Sequence, residues 1–308
     1  MSDAECARAL EAAALAIGRL DAALSGHPLY PGWRLWSALE AAVRQAAADG
    51  LKVDFYRLAA AGEGVPLTTF VRLDDRGAEI VALNHALDLY RWMIRPDSGE
   101  QALCAQALER LCAESGGRSV LVATAMGLRG WLAEGGGRQP VRAAVPRFLL
   151  ERGLTGQLMP GLTGTDALKA GAFDSDGFTV RFLRALARDA EAGHQRLITA
   201  ERRWKAAHRA VSGRRCNSTL PLAVDALAAV PLLSISGLAR TLDCSVEAAS
   251  RHLRELEKLG VVTEVTGRVG RGIRRLYGFA EVEPIRFEVA GPRLRTERKR
   301  GRPADPVT

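Results

Sequence analysis

The stretch from Thr219 to Phe279, TLPLAVDALAAVPLLSISGLARTLDCSVEAASRHLRELEKLGVVTEVTGRVGRGIRRLYGF, decides the fold of the C-terminal part of this chain. An apolar helical pattern comes first and is followed by a second, short helix and a tight turn. A third helix comes next, and two β-branched runs on either side of a Gly/Arg loop close the stretch.

The short helix and the turn after it have clear boundary signals. Ser234 or Ser236 is placed to cap the short helix, because a hydroxyl accepts hydrogen bonds from the unpaired backbone N–H groups of a first turn. Asp243-Cys244-Ser245 is the predicted turn, and Ser245 is the predicted cap of the third helix. Gly260 should end that helix, since glycine has no Cβ and tolerates the left-handed conformation found there.

The third helix has two different faces. One face is apolar and contains Val246, Ala249, Leu253, Leu256 and Leu259. The opposite face carries the candidate major-groove residues, which are Ser245, Glu247, Ala248, Arg251 and Arg254. A helix whose N-terminal half is small, polar and Arg-bearing fits a major groove and reaches base edges.

The two β-branched runs, 261–266 and 273–279, predict a hairpin with a Gly/Arg tip. The candidate DNA contacts of this wing are Arg268, Arg271, Arg274 and Arg275. Such a tip suits contact with phosphates or a minor groove better than it suits a core. The helices, the turn and the hairpin in this order predict a winged helix-turn-helix that binds double-stranded DNA. Winged helices also serve as protein-interaction modules, so that alternative stays open.

The positive charge of the chain is concentrated near its C-terminus. The net charge is +8, and the segment 268–302 contains eleven Arg or Lys residues against four Glu. Arg300 and Arg302 belong to an R-G-R-P sequence (300–303) that matches the core of an AT-hook, whose arginines lie in a narrow minor groove, and Arg298 and Lys299 directly precede it. A solvated basic tail that binds phosphates non-specifically is the alternative. Both indicate a nucleic-acid partner.

Composition and cysteine usage limit the other classes. The chain has 308 residues, of which 47% are hydrophobic and 25% charged, as in globular proteins. No apolar run approaches the roughly 18 residues of a membrane span, and the N-terminus lacks the basic region of a secretory signal. We therefore expect a cytoplasmic, nucleoid-associated protein with no membrane partner.

Five scattered cysteines without a C-x-x-C motif predict no metal site and no disulfide framework.

The predicted fold class is mostly α, in four regions. They are a helical N-terminal domain (1–178) of undefined role, a connecting helix with a basic linker (179–215), the winged helix-turn-helix (216–282) and a basic, disordered tail (283–308). Residues 78–83 fit either a hairpin with 68–73 or the start of a helix that continues to Met93. The connecting helix either pairs with a second copy, as in a homodimer, or packs within the N-terminal domain.

The sequence predicts no enzyme. Nucleophile-elbow, phosphate-loop and zinc-protease motifs are missing from it, and the Gly-rich segment 161–166 lacks a lysine. His252 in the third helix either touches DNA or flanks the core. We expect no catalytic residues, no cofactor and no metal, and the sequence indicates no particular small-molecule effector.

Two family resemblances add to this picture. The segment from Phe182 to Phe279, with EAGHQRLITAERRWKAAHRAVSG, LPLAVDAL and EVTGR…RRLYGF, resembles the C-terminal helix and winged helix of Fic-domain proteins. Their H-x-F-x-D-G-N-G-R catalytic loop has no counterpart in this sequence, so the resemblance implies the appended module without the enzyme. The whole architecture, from IGRLDAALSGHPLYPGW onward, is similar to a family of rhizobial and other alphaproteobacterial proteins of unknown function, although residues 59–83 match it poorly.

These observations predict a DNA-binding transcriptional regulator, with the N-terminal domain serving dimerisation or effector sensing. The alternative is a non-catalytic relative of Fic proteins whose winged helix binds another protein.

Overall fold

The structure, a computed structural model, describes residues 3–65, 76–114, 116–169, 177–212, 219–266 and 275–280. Within them the chain is mostly helical with one small antiparallel sheet, so the predicted fold class is confirmed. The first seven helices are α1 (Asp3–Leu24), α2 (Tyr30–Ala48), α3 (Phe55–Gly62), α4 (Arg76–Ile94), α5 (Ser98–Ala113), α6 (Val120–Ala133) and α7 (Arg138–Glu151). A short 3-10 helix (Thr165–Leu168) precedes the longest helix, α8 (Phe178–Val211). The remaining elements are α9 (Leu220–Ala229), β1 (Leu233–Ser234), α10 (Ile235–Thr241), α11 (Val246–Lys258), β2 (Val262–Glu264) and β3 (Leu276–Phe279).

Residues 78–83 belong to a helix, which settles one of the alternatives left open by the sequence. They lie in α4, where Leu83, Ala86 and Leu89 are buried and Val81 is 60% exposed. This spacing fits a helix and not the alternation of a strand. The segment 68–73, the other half of the possible hairpin, lies outside the described residues.

The largest core is built around α8. This helix packs along α1 and α6. Its buried side chains, such as Phe182 and Leu186, lie in the same core as Leu111 of α5, Leu128 of α6 and Phe148 of α7. Each buried leucine or phenylalanine of this kind contributes about 1.5–3 kcal/mol. The first half of α8 is therefore part of the N-terminal helical region. Pairing of α8 with a second copy stays a prediction, because the structure contains one chain.

In the Gly-rich segment 161–166, which the sequence predicts as a loop, residues 161–164 are loop and residues 165–166 begin the 3-10 helix; the segment packs into the same core. The buried carboxylate of Asp189 in α8 accepts hydrogen bonds from the backbone N–H groups of Thr163 (3.2 Å) and Gly164 (2.9 Å) and pairs with Arg44. Gly164 has a positive φ of 61°, and a Cβ there would meet the ring of Phe182. Glycine at this position thus allows both the turn and the close packing.

A second core joins α2, α3 and α4 to the sheet. Leu58 of α3 and Leu83 of α4 are buried together with Leu232, Val265 and Leu276 from the C-terminal part of the chain. The residues from α9 to β3, hereafter the C-terminal unit, are thereby attached to the helical region through apolar contacts. A hydrogen bond from Ser234 Oγ to Glu63 Oε2 (3.4 Å) adds a polar contact.

A third core lies inside the C-terminal unit. The last turns of α8 contribute Ala207 and Val211 to it, and α9, α10 and α11 contribute Val224, Leu238 and Leu253 among others. The helix α8 therefore takes part in two cores, one at each end. The four predicted region boundaries stay predictions.

Candidate nucleic-acid interface

The helices α10 and α11 are joined by the turn that the sequence predicts. Ser234, one of the two candidate caps, accepts a hydrogen bond from Gly237 N at 2.9 Å and begins α10. Asp243 has the left-handed backbone conformation (φ 46°) that Asp and Asn tolerate best after glycine. Ser245 accepts from Ala248 N at 3.2 Å and caps α11, and Gly260 follows α11 with φ 68°.

The inner face of α11 anchors the helix in the C-terminal unit. Ala249, Leu253 and Leu256 are fully buried. Val246 was expected on this face, but its side chain is 53% exposed. It is the first residue of the helix, directly after the cap, and so lies beyond the edge of the packed surface.

The outer face of α11 is open to solvent. Ser245, Glu247, Arg251 and Arg254 are exposed, and Ala248 is half-buried. Glu247, Ala248, Arg251 and Arg254 thus share one face of α11, and Ser245 is exposed at the N-terminal end of the helix. Arg251, Arg254 and Lys258 also border a surface groove of about 430 Å³.

Local hydrogen bonds orient two of these side chains. Glu247 accepts hydrogen bonds from its own backbone N–H and from the Ser245 hydroxyl, and these bonds hold its pKa below the usual range. Its charge also lies in the first turn of α11, where the helix dipole favours anions. Arg254 Nη2 donates to Ser250 Oγ at 3.0 Å, one helical turn earlier.

His252 points away from this face. Its Nε2 lies 2.8 Å from the hydroxyl of Thr219, the residue before α9. Burial, together with the charge of Arg251, lowers the pKa of His252. Of the two possibilities left by the sequence, the structure favours the one in which His252 flanks the core.

The sheet has the strand order β1-β3-β2, and both pairings are antiparallel. The sequence patterns predicted β2 and β3 but not β1, which consists of two residues. Arg275, just before β3, is 60% exposed and has its Nε 3.9 Å from Glu264 Oε1. The other predicted wing contacts (Arg268, Arg271, Arg274) and the predicted tail contacts (Arg298, Lys299, Arg300, Arg302) lie outside the described residues.

The described residues contain no cluster of three or more His, Cys, Asp or Glu side chains suited to a metal ion. None of the helices in these parts of the chain has both the length and the apolar character needed to cross a membrane.

Comparison with known proteins does not assign the chain to a family. No protein-family model matches the chain, and no curated protein matches it either. The resemblances to the C-terminal module of Fic-domain proteins and to the alphaproteobacterial family therefore stay predictions.

Proposed function

We propose that the C-terminal unit is a winged helix-turn-helix that binds double-stranded DNA, and that the protein is a transcriptional regulator. The observation that carries this proposal is the division of α11 into two faces. Ala249, Leu253 and Leu256 are buried on the inner face. The outer face presents four exposed residues and the half-buried Ala248; the exposed residues are Ser245, Glu247, Arg251 and Arg254. An anchored helix with an open polar face is what enters a major groove.

The outer face offers both hydrogen-bond donors and acceptors to base edges. Arg251 and Arg254 have the guanidinium fork that pairs with guanine O6 and N7. Glu247 is held by Ser245 as an acceptor, the role that reads cytosine N4–H. The half-buried Ala248 and the exposed Val246 are the small apolar groups that contact thymine methyls.

Phosphate binding would come from other parts of the chain. Within α11 three cations (Arg251, Arg254, Lys258) are balanced by three glutamates (Glu247, Glu255, Glu257), so this helix supplies no net positive charge. The wing arginines and the tail contain the excess charge, and we assign them the sequence-independent part of affinity.

The test is a fluorescence-anisotropy titration of the full chain with random and A·T-rich duplexes at two salt concentrations. We expect tight binding that salt weakens, and a loss of about tenfold or more in Arg251→Ala and Arg254→Ala. Arg8→Ala is the matched control, because Arg8 is an exposed arginine on α1. Equal affinity of all three variants and the unaltered chain would remove the proposed role of α11.

The charge balance of α11 also supports a second candidate, a winged helix that binds a protein partner. This candidate predicts no binding to either duplex. It also predicts that a protein co-purifies with the unaltered chain and is lost from Arg251→Ala.

A further inference from the structure

A cavity of about 450 Å³ lies where α2, α3 and α8 meet the C-terminal unit. Trp33 and Trp36 of α2, Tyr56 of α3 and Phe279 of β3 form its aromatic walls. Its size falls within the range of small-molecule sites, which are concave, mostly apolar and set with few polar groups. The cavity therefore lies between the helical region, which contributes α2, and the C-terminal unit, which contributes β3.

The aromatic walls are held in place by their own partners. Trp33 Nε1 donates to Gly193 O at 2.9 Å, so its indole has no donor left for a ligand and presents only its ring. Trp36 stacks on Phe55 with ring centroids 5.3 Å apart and an interplanar angle of 24°. Rings fixed in this way favour a planar partner, because aromatic contacts depend on ring orientation.

The polar part of the lining contains an ion pair between Glu40 and Arg196, and Gln195 and Thr199 border the cavity beside it. Both carboxylate oxygens of Glu40 face the Arg196 guanidinium, so the pair is neutral as it stands. Burial lowers the pKa of Arg196 to about 10. Arg203 also borders the cavity and has an interaction of its own.

We infer that this cavity binds an uncharged, planar aromatic molecule of two or three fused rings with a hydrogen-bonding group at one end. The rings would stack among Trp36, Tyr56 and Phe279. The hydrogen-bonding group of the ligand would accept a hydrogen bond from a free N–H of Arg196 and donate one to a remaining lone pair of Glu40. A charged group would be less favourable, since the ion pair already balances its own charges and burial of a further charge is costly.

The assay compares two probes that differ in charge and little in shape. Isothermal titration calorimetry of the full chain with 2-naphthamide should give saturable one-to-one binding with a Kd on the order of 0.1–1 mM, as expected for a ligand of this size. 2-Naphthoate, which is anionic at neutral pH, should bind more weakly. Absence of saturable 2-naphthamide binding, or tighter binding of 2-naphthoate, would overturn the assignment.

Two filling variants locate the site. Thr199→Phe and Ala192→Phe each place a ring in the cavity from α8 without removing a buried side chain, and each should weaken 2-naphthamide binding at least tenfold. Ala206→Phe is the control, because Ala206 is exposed on α8 and does not border the cavity. Circular dichroism confirms that each variant is folded. Binding by both folded filling variants as tight as by the control would overturn the assignment.

This inference does not rest on the proposed function, because no DNA enters the assay. A ligand in the cavity would contact Trp33 of α2 and Phe279 of β3 at the same time. It would therefore link the helical region to the C-terminal unit.

Discussion

The backbone of Gly32 in α2 lies directly against that of Ala229, the last residue of α9. A Cβ at position 32 would be 2.5 Å from Ala229 Cα and 2.7 Å from Ala228 O. These distances are too short for any side chain. The helical region and the C-terminal unit are therefore packed backbone to backbone at this point, and the absence of a side chain makes the contact possible.

Substitution of Gly32 should disturb this packing. We expect Gly32→Ala to lower the free energy of unfolding by about 1–3 kcal/mol, because backbone atoms of α9 must move to admit the methyl group. Gly18→Ala in α1 is the control. A Cβ at Gly18 meets nothing within 4 Å, so alanine there should stabilise its helix by about 0.5–1 kcal/mol. Urea unfolding gives the free energy of unfolding of both variants. If Gly32→Ala gained as much stability as Gly18→Ala, Gly32 would make no close contact.

Asp49, the residue that ends α2, neutralises buried positive charge. Its two oxygens accept from Arg142 Nη1 (2.8 Å) and Nη2 (3.0 Å), and it also contacts Arg138 and His85. Because the Arg142 side chain is 0% exposed, Asp49→Asn leaves an uncompensated charge and should cost roughly 3–5 kcal/mol. Asp88→Asn, which removes a partner from an exposed ion pair, should cost less than about 1 kcal/mol. A similar small loss in both variants would contradict the assigned role.

The carboxylate of Asp49 should also make the stability of the protein depend on pH in the acid range. Burial alone would raise the pKa of Asp49, but the hydrogen bonds and charge of Arg142, with bonds from His85 and Arg138, lower it from 3.8 to about 2. A lowered folded-state pKa means that this contribution is complete above about pH 4 and is lost as pH falls through 2. Urea unfolding of the unaltered chain and of Asp49→Asn measures the free energy of unfolding of each. The difference between the two should become smaller as the pH falls from 6 to 2. A constant difference would contradict this prediction.

The contribution of Asp189 to stability should depend on pH in the opposite direction to that of Asp49. Burial raises the pKa of its carboxyl to about 6, and the charge of Arg44 with the N–H groups of Gly164 and Thr163 only partly offsets the effect. A raised folded-state pKa means that its contribution is complete below about pH 4 and is lost as pH rises through 6. The unaltered chain should therefore lose stability relative to Asp189→Asn over that interval, on the order of 2–3 kcal/mol. A gain over the same interval would exclude a raised pKa.

DNA binding by the wing and by α11 should differ in sequence dependence. Arg275→Ala should weaken binding to every duplex and reduce the salt slope by about 1, since we assign Arg275 a phosphate contact. Arg251→Ala should also reduce the preference for one sequence over another. A chain truncated at Glu283 should keep the sequence preference and lose affinity at all sites. If Arg251→Ala and Arg275→Ala have the same effect on every duplex, α11 does not read bases.

The local features of the C-terminal unit follow from neighbouring residues, which is why the sequence predicts them. Ser234 and Ser245 cap helices because a hydroxyl finds an unpaired N–H three residues later. Gly260 ends α11 for an equally local reason. Val246 is the exception: helical periodicity placed it on the buried face, but burial also requires a neighbour to cover it.

Interactions between distant residues have no comparable signal in the sequence. Strand β1 has only two residues and pairs with β3 more than forty positions later. The partners of Asp49 and Asp189 are also distant in sequence, and nothing near them indicates a charge cluster. The cavity depends on four aromatic residues whose sequence positions span Trp33 to Phe279.

The sequence by itself determined the mostly α fold class, the caps of α10 and α11, the turn between them and the two faces of α11, because each depends on residues within one or two helical turns. Only the tertiary structure decided that α8 shares two cores, that Gly32 packs against Ala229, that Asp189 is buried against the loop at 163–164, and that an aromatic cavity lies between α2, α8 and β3. These features are contacts across the fold, and their stability comes from burial, which no local pattern of residues specifies.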